Sequence, residues 1–246
     1  FPDDPHFGLH NYEQYQAEIF EARKEFPNLN IRMGVEVTYL PVIRKEIQEY
    51  LEAKEYDFIL GAVHLMEDGK ITISEDQGSK ELFSRRNYED CYQEYFELLL
   101  EAVRSGLFDA IAHLDFINRY GLAYCPHWEW QTCYGKIRRI YEGMIKRGMA
   151  LEINTSGLRQ TPNRTYPEQG LIRFYCELKG EMIFIGSDAH TLENLGFGVG
   201  QTLNLLRHLG FSQVTSFERR SPKWLEIGIL KLVSSRPGPG GSAEPG

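Results

Sequence analysis

Apolar residues along this chain follow two alternating rhythms, spaced three and four apart over the longer stretches and packed into short continuous runs between them. Asn11 caps a predicted helix with Tyr12, Tyr15, Ile19, Ala22 and Phe26 on one face, and Pro27-Asn28 stops it. Ile31 to Leu40 follows as a strand. Pro41 opens a second helix with Ile43, Ile47, Tyr50 and Leu51 in phase, and Phe58 to His64 is the next strand. Asp68-Gly69 closes a small hairpin with Ile71 to Ile73. Asn87 starts the longest helix, whose stripe of Tyr88, Cys91, Tyr95, Leu98 and Ala102 ends at Gly106, and Ala110 to His113 is a short strand. The rhythm then repeats as helix 132–146, strand 150–154, helix 168–179, strand 182–186, helix 195–209 and a last strand near 214–217. Helix and strand in turn mean parallel strands joined by right-handed crossovers, so the fold class is α/β.

A chain of 246 residues with 42% hydrophobic content can fill one large core. A single domain is expected over residues 1–230. Residues 231–246, rich in Pro, Gly and Ser, offer too little apolar content to offset the entropy of ordering and are expected to be a disordered tail. The net charge of −8 gives no overall field that would draw in nucleic acid or an anionic membrane. Cys91, Cys125, Cys133 and Cys176 form no Cys-x-x-Cys and are expected to be free thiols in a reducing, cytoplasmic setting. The apolar runs fall short of the roughly 20 residues a spanning helix needs, so a soluble protein is expected.

Chemistry gathers where the strands end. The run Met182 to Gly186 stops at Ser187-Asp188-Ala189-His190, and period-two geometry lets Asp188 and His190 point the same way. Glu36 lies inside the first strand, His64 ends the second, and Ala112-His113-Leu114-Asp115 ends the third. A lone histidine at a strand end is more often a hydrogen-bonded structural residue than a ligand; three at corresponding points, joined by two carboxylates, shift the balance toward metal. Mixed imidazole and carboxylate ligation suits zinc, manganese or iron. If Glu36 bridges two ions, the site is of the multinuclear hydrolytic kind.

Gly34-Val35-Glu36, Val63-His64, Ala112-His113-Leu114-Asp115 and Gly186-Ser187-Asp188-Ala189-His190 resemble the later motifs of the polymerase and histidinol phosphatase (PHP) superfamily. Asn118-Arg119-Tyr120-Gly121 and Glu152 to Arg159 are similar to its histidinol-phosphatase branch, and the likeness runs from about residue 31 to 218. The resemblance implies a distorted (β/α)7 barrel with two to three divalent transition-metal ions and no organic cofactor. By resemblance Glu36 would bridge two ions, His64 and His113 would bind one, Asp188 another and His190 the third. The family's early His-x-His motif and the His-containing motif after its second strand are not matched. His6 and His10, in a Pro- and Asp-rich opening, read as loop residues on the surface or at the substrate rim. That departure fits a chain beginning just after the second barrel strand, with the first two strands missing. Such a chain is expected to hold at most about one tight metal ion and to show little activity by itself.

Arg119 and Arg159 follow strands whose ends lie at the site, and planar, always-charged donors there suit a phosphate ester. An ion pair with Asp115 is the competing role for Arg119. Tyr120, Trp128 and Trp130 could cover an imidazole-bearing substrate or cap the core. Arg85-Arg86 beside Glu89 and Asp90 reads as a solvated helix start. The resemblance points to a phosphatase that hydrolyses histidinol phosphate in histidine biosynthesis, with a small phosphorylated substrate and neither nucleic acid nor membrane as partner. Its alternatives are another phosphoesterase of the superfamily, acting on a small ester or a nucleic-acid 3′ end, and a metal-binding module without catalysis.

Overall fold

The computed structural model describes residues 11–228; His6, His10 and the expected tail 231–246 lie outside them. In chain order the elements are α1 (Tyr12–Glu25), β1 (Gly34–Thr38), α2 (Arg44–Glu52), β2 (Phe58–Ala62), β3 (Leu65–Met66), β4 (Ile71–Thr72), α3 (Asp76–Arg85), α4 (Tyr88–Ser105), β5 (Ala110–Ile111), α5 (Asn118–Gly121), α6 (Tyr134–Arg147), β6 (Ala150–Asn154), α7 (Gln169–Glu177), β7 (Ile183–Gly186), α8 (Val199–His208), β8 (Gln213–Glu218) and β9 (Ser221–Glu226). The expected caps form: Asn11 accepts from the Gln14 amide, Asn87 from the Glu89 amide, and Gly106 ends α4 in the left-handed region. All four cysteines are free thiols, and among the described residues no helix is long and apolar enough to cross a membrane.

Five strands form one parallel sheet in the order β1-β2-β5-β6-β7. Its register sets Glu36 beside Leu60, Leu60 beside Ala110, and Ala110 beside Ala150, so these residues share a face. That face is curled inward. Phe58 of β2 meets Phe184 of β7 at 5.1 Å between ring centroids, although β5 and β6 lie between the two strands. In a flat sheet strands three places apart are separated by about 14 Å, so only a barrel-like curve brings the rings together. Leu60, Ala62, Ala110, Ala112, Ala150 and Phe217 pack inside the curve, and small side chains there let the walls approach. The outer face is covered by helices, with α4 contributing Cys91, Tyr92, Tyr95, Phe96, Leu99, Leu100, Ala102 and Val103 to the main core.

Three sequence expectations are corrected. The last strand does not extend the parallel sheet: β8 pairs antiparallel with β9, for which Pro222 gave a signal against a strand. Their turn places Arg219 and Arg220 at φ 47° and 62°, without the usual Asn-Gly. Tertiary bonds hold it instead, because Asp57 accepts both backbone amides and the Arg220 guanidinium donates to Asp109. Second, Arg85 ends α3, a helix the periodicity missed because only Ser79 and Leu82 are buried and its N-terminus has no side-chain cap. Third, Arg86 is no solvated residue; it pairs with Glu94 and Glu67.

Candidate metal centre

Three of the expected ligands meet, Glu36 from the middle of β1 and His64 and His113 from just past the carboxyl ends of β2 and β5. Glu36 Oε1 lies 3.3 Å from His64 Nε2 and 3.4 Å from His113 Nε2, and the two imidazole nitrogens are 3.2 Å apart. Three atoms each about 2.0–2.1 Å from a tetrahedral ion are about 3.3–3.4 Å from one another, so the triangle has the dimensions of a zinc-type donor set. In the tautomer whose Nδ1–H donates to Thr38 Oγ1 at 2.9 Å, His64 keeps its Nε2 lone pair for the site. The site chemistry therefore fits a divalent metal.

Electrostatics without metal point the same way. Burial opposes ionisation of Glu36, but the His113 hydrogen bond and the charges of His113, His64 and His190 outweigh it and hold the carboxyl down at about 2. Burial pushes His64 down to about 4, Glu36 only partly countering it. For His113, burial is overcome by its hydrogen bond to Glu36 and the charges of Glu36, Glu152 and Asp188, and its pKa rises. A cation arriving at such a cluster competes with protons for the same lone pairs.

The remaining candidates sit around this triangle without joining it. Asp188 is one-quarter exposed at its side chain, its charge acts on His64 and His113, and its backbone takes φ 49°. Its carbonyl accepts from Arg159 Nη2 at 2.7 Å. His190 lies at the rim with 83% of its side chain exposed. Arg159 Nη1 is buried with no hydrogen-bond partner, and the guanidinium lies 5.8 Å from the Phe197 ring centroid. Arg119 does not pair with Asp115; it lies over the rings of Phe116 and Tyr120 and helps keep His64 neutral. Trp128 stacks on Tyr92 at 4.3 Å and Trp130 on Phe174 at 5.1 Å, so both cap the core.

Two deeply buried carboxyls, Glu152 and Asp115, were not among the expected metal ligands. Glu152, 3% exposed on the inner face of β6, accepts from the His113 backbone amide at 2.8 Å and from Asn154 Nδ2 at 3.2 Å; burial lifts it to about 7. A carboxylate alternating with Leu151 and Ile153 in a buried strand was the signal available for it. Asp115, fully buried, accepts from Asn118 and from the Glu168 amide, and burial raises it from 3.8 to about 7 against the pull of Arg164. The folded state thus holds this proton more tightly than the unfolded chain. Its stabilising contribution is complete below about pH 4 and is lost as pH rises through about 7. Thermal melts of the metal-free protein should therefore show a steeper fall from pH 5 to pH 8 for the wild type than for Asp115→Asn; parallel profiles would contradict it.

A family model described as the PHP domain matches residues 5–156. A probable histidinol-phosphatase of Deinococcus radiodurans is 30% identical over 213 residues, covering 86% of this chain and 78% of that relative. The histidinol-phosphatase of Lactococcus lactis subsp. lactis is 24% identical, covering 84% and 76%. Among solved structures, histidinol phosphate phosphatase from Lactococcus lactis subsp. lactis complexed with zinc, L-histidinol and phosphate superposes with a TM-score of 0.72 at 20% identity, covering 87% of this chain and 80% of that one.

Proposed function

The chain belongs to the PHP domain family, and from that premise we propose that it is a metal-dependent phosphatase that hydrolyses histidinol phosphate to histidinol and phosphate in histidine biosynthesis. The observation that carries the reading is the convergence of Glu36, His64 and His113 on one point, with the unpaired Nη1 of Arg159 held in the neighbouring loop. Two to three divalent ions, of zinc, manganese or iron, are the complement we assign to the family's site; in this chain Glu36, His64 and His113 would hold one, and Asp188 and His190 would help to hold the others. Bound there, the cations would polarise the phosphoryl oxygens and supply an activated water.

The chain's own residues do the rest. Arg159 is fixed through Nη2 to the Asp188 carbonyl, which leaves Nη1 free to donate to a phosphoryl oxygen as negative charge grows on it. Arg119, laid across Phe116 and Tyr120, adds a second fixed positive charge beside His64. Depressed His64 and Glu36 stay deprotonated at neutral pH, as ligands must. The net charge of −8 disfavours a nucleic-acid substrate over a small one. Steady-state kinetics of the zinc- or manganese-loaded protein, with a segment carrying the early His-x-His motif supplied, test the assignment: kcat/KM for histidinol phosphate should exceed that for p-nitrophenyl phosphate by at least about a hundredfold, the scale of one or two specific substrate contacts. Equal values would refute it.

A further inference from the structure

His113 is out of phase with its own strand. Leu60 and Ala110 are register partners on the inner face, so Ala112 also points inward and His113 should point out toward the helices. Its Nε2 nevertheless reaches Glu36 and His64, because the backbone at His113 takes φ 25°, where residues other than glycine seldom sit. Such a conformation is strained and persists only if its surroundings hold it.

What holds it is the carboxyl of Glu152. From the next strand Glu152 Oε2 accepts the His113 amide at 2.8 Å, and Asn154, whose Nδ2 donates to the same oxygen, is itself fixed by accepting the Ser156 amide at 2.9 Å. The other oxygen occupies space that only a glycine leaves open: a Cβ on Gly186 would lie 2.1 Å from Glu152 Oε1. Glu152 is not among the residues whose ligand atoms converge. We propose that Glu152 is a positioning residue, which fixes the left-handed turn at His113 and so aims the imidazole at the metal, and that Gly186 is required because it makes room for that carboxyl. The inference rests on Glu36, His64 and His113 being metal ligands and on no particular substrate.

Calorimetric titration of zinc into the chelator-stripped protein tests it, with circular dichroism and melting of each metal-free variant alongside. Glu152→Ala should weaken zinc binding by about 10–100-fold, the usual effect of removing a group that orients a ligand. Glu152→Gln, which keeps an oxygen for the His113 amide, should regain most of that loss. Gly186→Ala keeps the carboxylate but displaces it, and should weaken binding as Glu152→Ala does. Wild-type affinity in Glu152→Ala or Gly186→Ala overturns the proposal, and so does a Glu152→Gln protein as weak as Glu152→Ala, since that would mean charge and not geometry is needed. If Glu152→Ala does not fold, the contrast between Glu152→Gln and Gly186→Ala decides. A wild-type protein that takes up no zinc would defeat the reading of the ligands themselves, a separate result from equal binding by all four proteins.

Discussion

Replacing His113 by alanine is expected to remove zinc from the protein at micromolar concentrations and to lower kcat for histidinol phosphate on the order of a thousandfold. The magnitude follows from what a bound ion contributes, several kcal/mol of charge stabilisation in the transition state, at 1.36 kcal/mol for each factor of about ten. Only Glu36 and His64 would remain of the triangle, and two donors do not make a tight site. The turn itself survives the change, because Glu152 is bonded to the amide of residue 113 and not to its ring. Far-UV circular dichroism should accordingly match the wild type, while elemental analysis after dialysis reads the lost metal. A variant that retains stoichiometric zinc and a kcat within tenfold of wild type would show that the cation sits elsewhere.

Glu36 and His64 were legible from strand periodicity alone. Glu36 has Leu60 as register partner, and His64 continues the Leu60, Ala62 alternation toward the same mouth. His113 was singled out by its place at the end of a strand and not by its phase, because a positive φ reverses the side chain at the last moment and period two says nothing of that. Asp188 was read from period-two geometry, in phase with Gly186, but its backbone turns at φ 49°. Backbone kinks of this kind depend on a partner from another strand, and no local pattern encodes them.

The parallel strands and the helices other than α3 and α5 were legible for the opposite reason, since each carries its own signal: a cap, a stripe, a run of β-branched residues. The β9 half of the C-terminal hairpin carries none, although β8 was expected near 214–217. Every residue of β9 is exposed, its second position is proline, and its turn is two arginines held from outside by Asp57 and Asp109. Local sequence there argues against the structure that tertiary contacts impose. Glu152 was readable as a carboxylate in a buried strand, but its role became visible only when the register set it beside β5 and the amide of His113.

Arg159→Ala is expected to lower kcat/KM for histidinol phosphate on the order of a hundredfold, the effect of deleting one preorganised donor to a developing oxyanion. A buried guanidinium nitrogen without a partner is costly to keep, and nitrogen Nη1 of Arg159 is in that state while Nη2 is already committed to the Asp188 carbonyl. One arm anchors and the other is left to bind, which is what a clamp on an incoming anion requires. Zinc content should not change, because Arg159 touches the backbone of Asp188 and none of the three converging ligands. Arg159→Lys should recover only part of the loss: an ammonium can take the place of one arm, but it has no planar fork to hold the carbonyl and the phosphoryl oxygen together. The deficit should be larger with histidinol phosphate near its transition state than in the KM alone, appearing mainly in kcat. Alanine and lysine variants with wild-type kinetics would assign Arg159 to holding the 188–190 loop and nothing more.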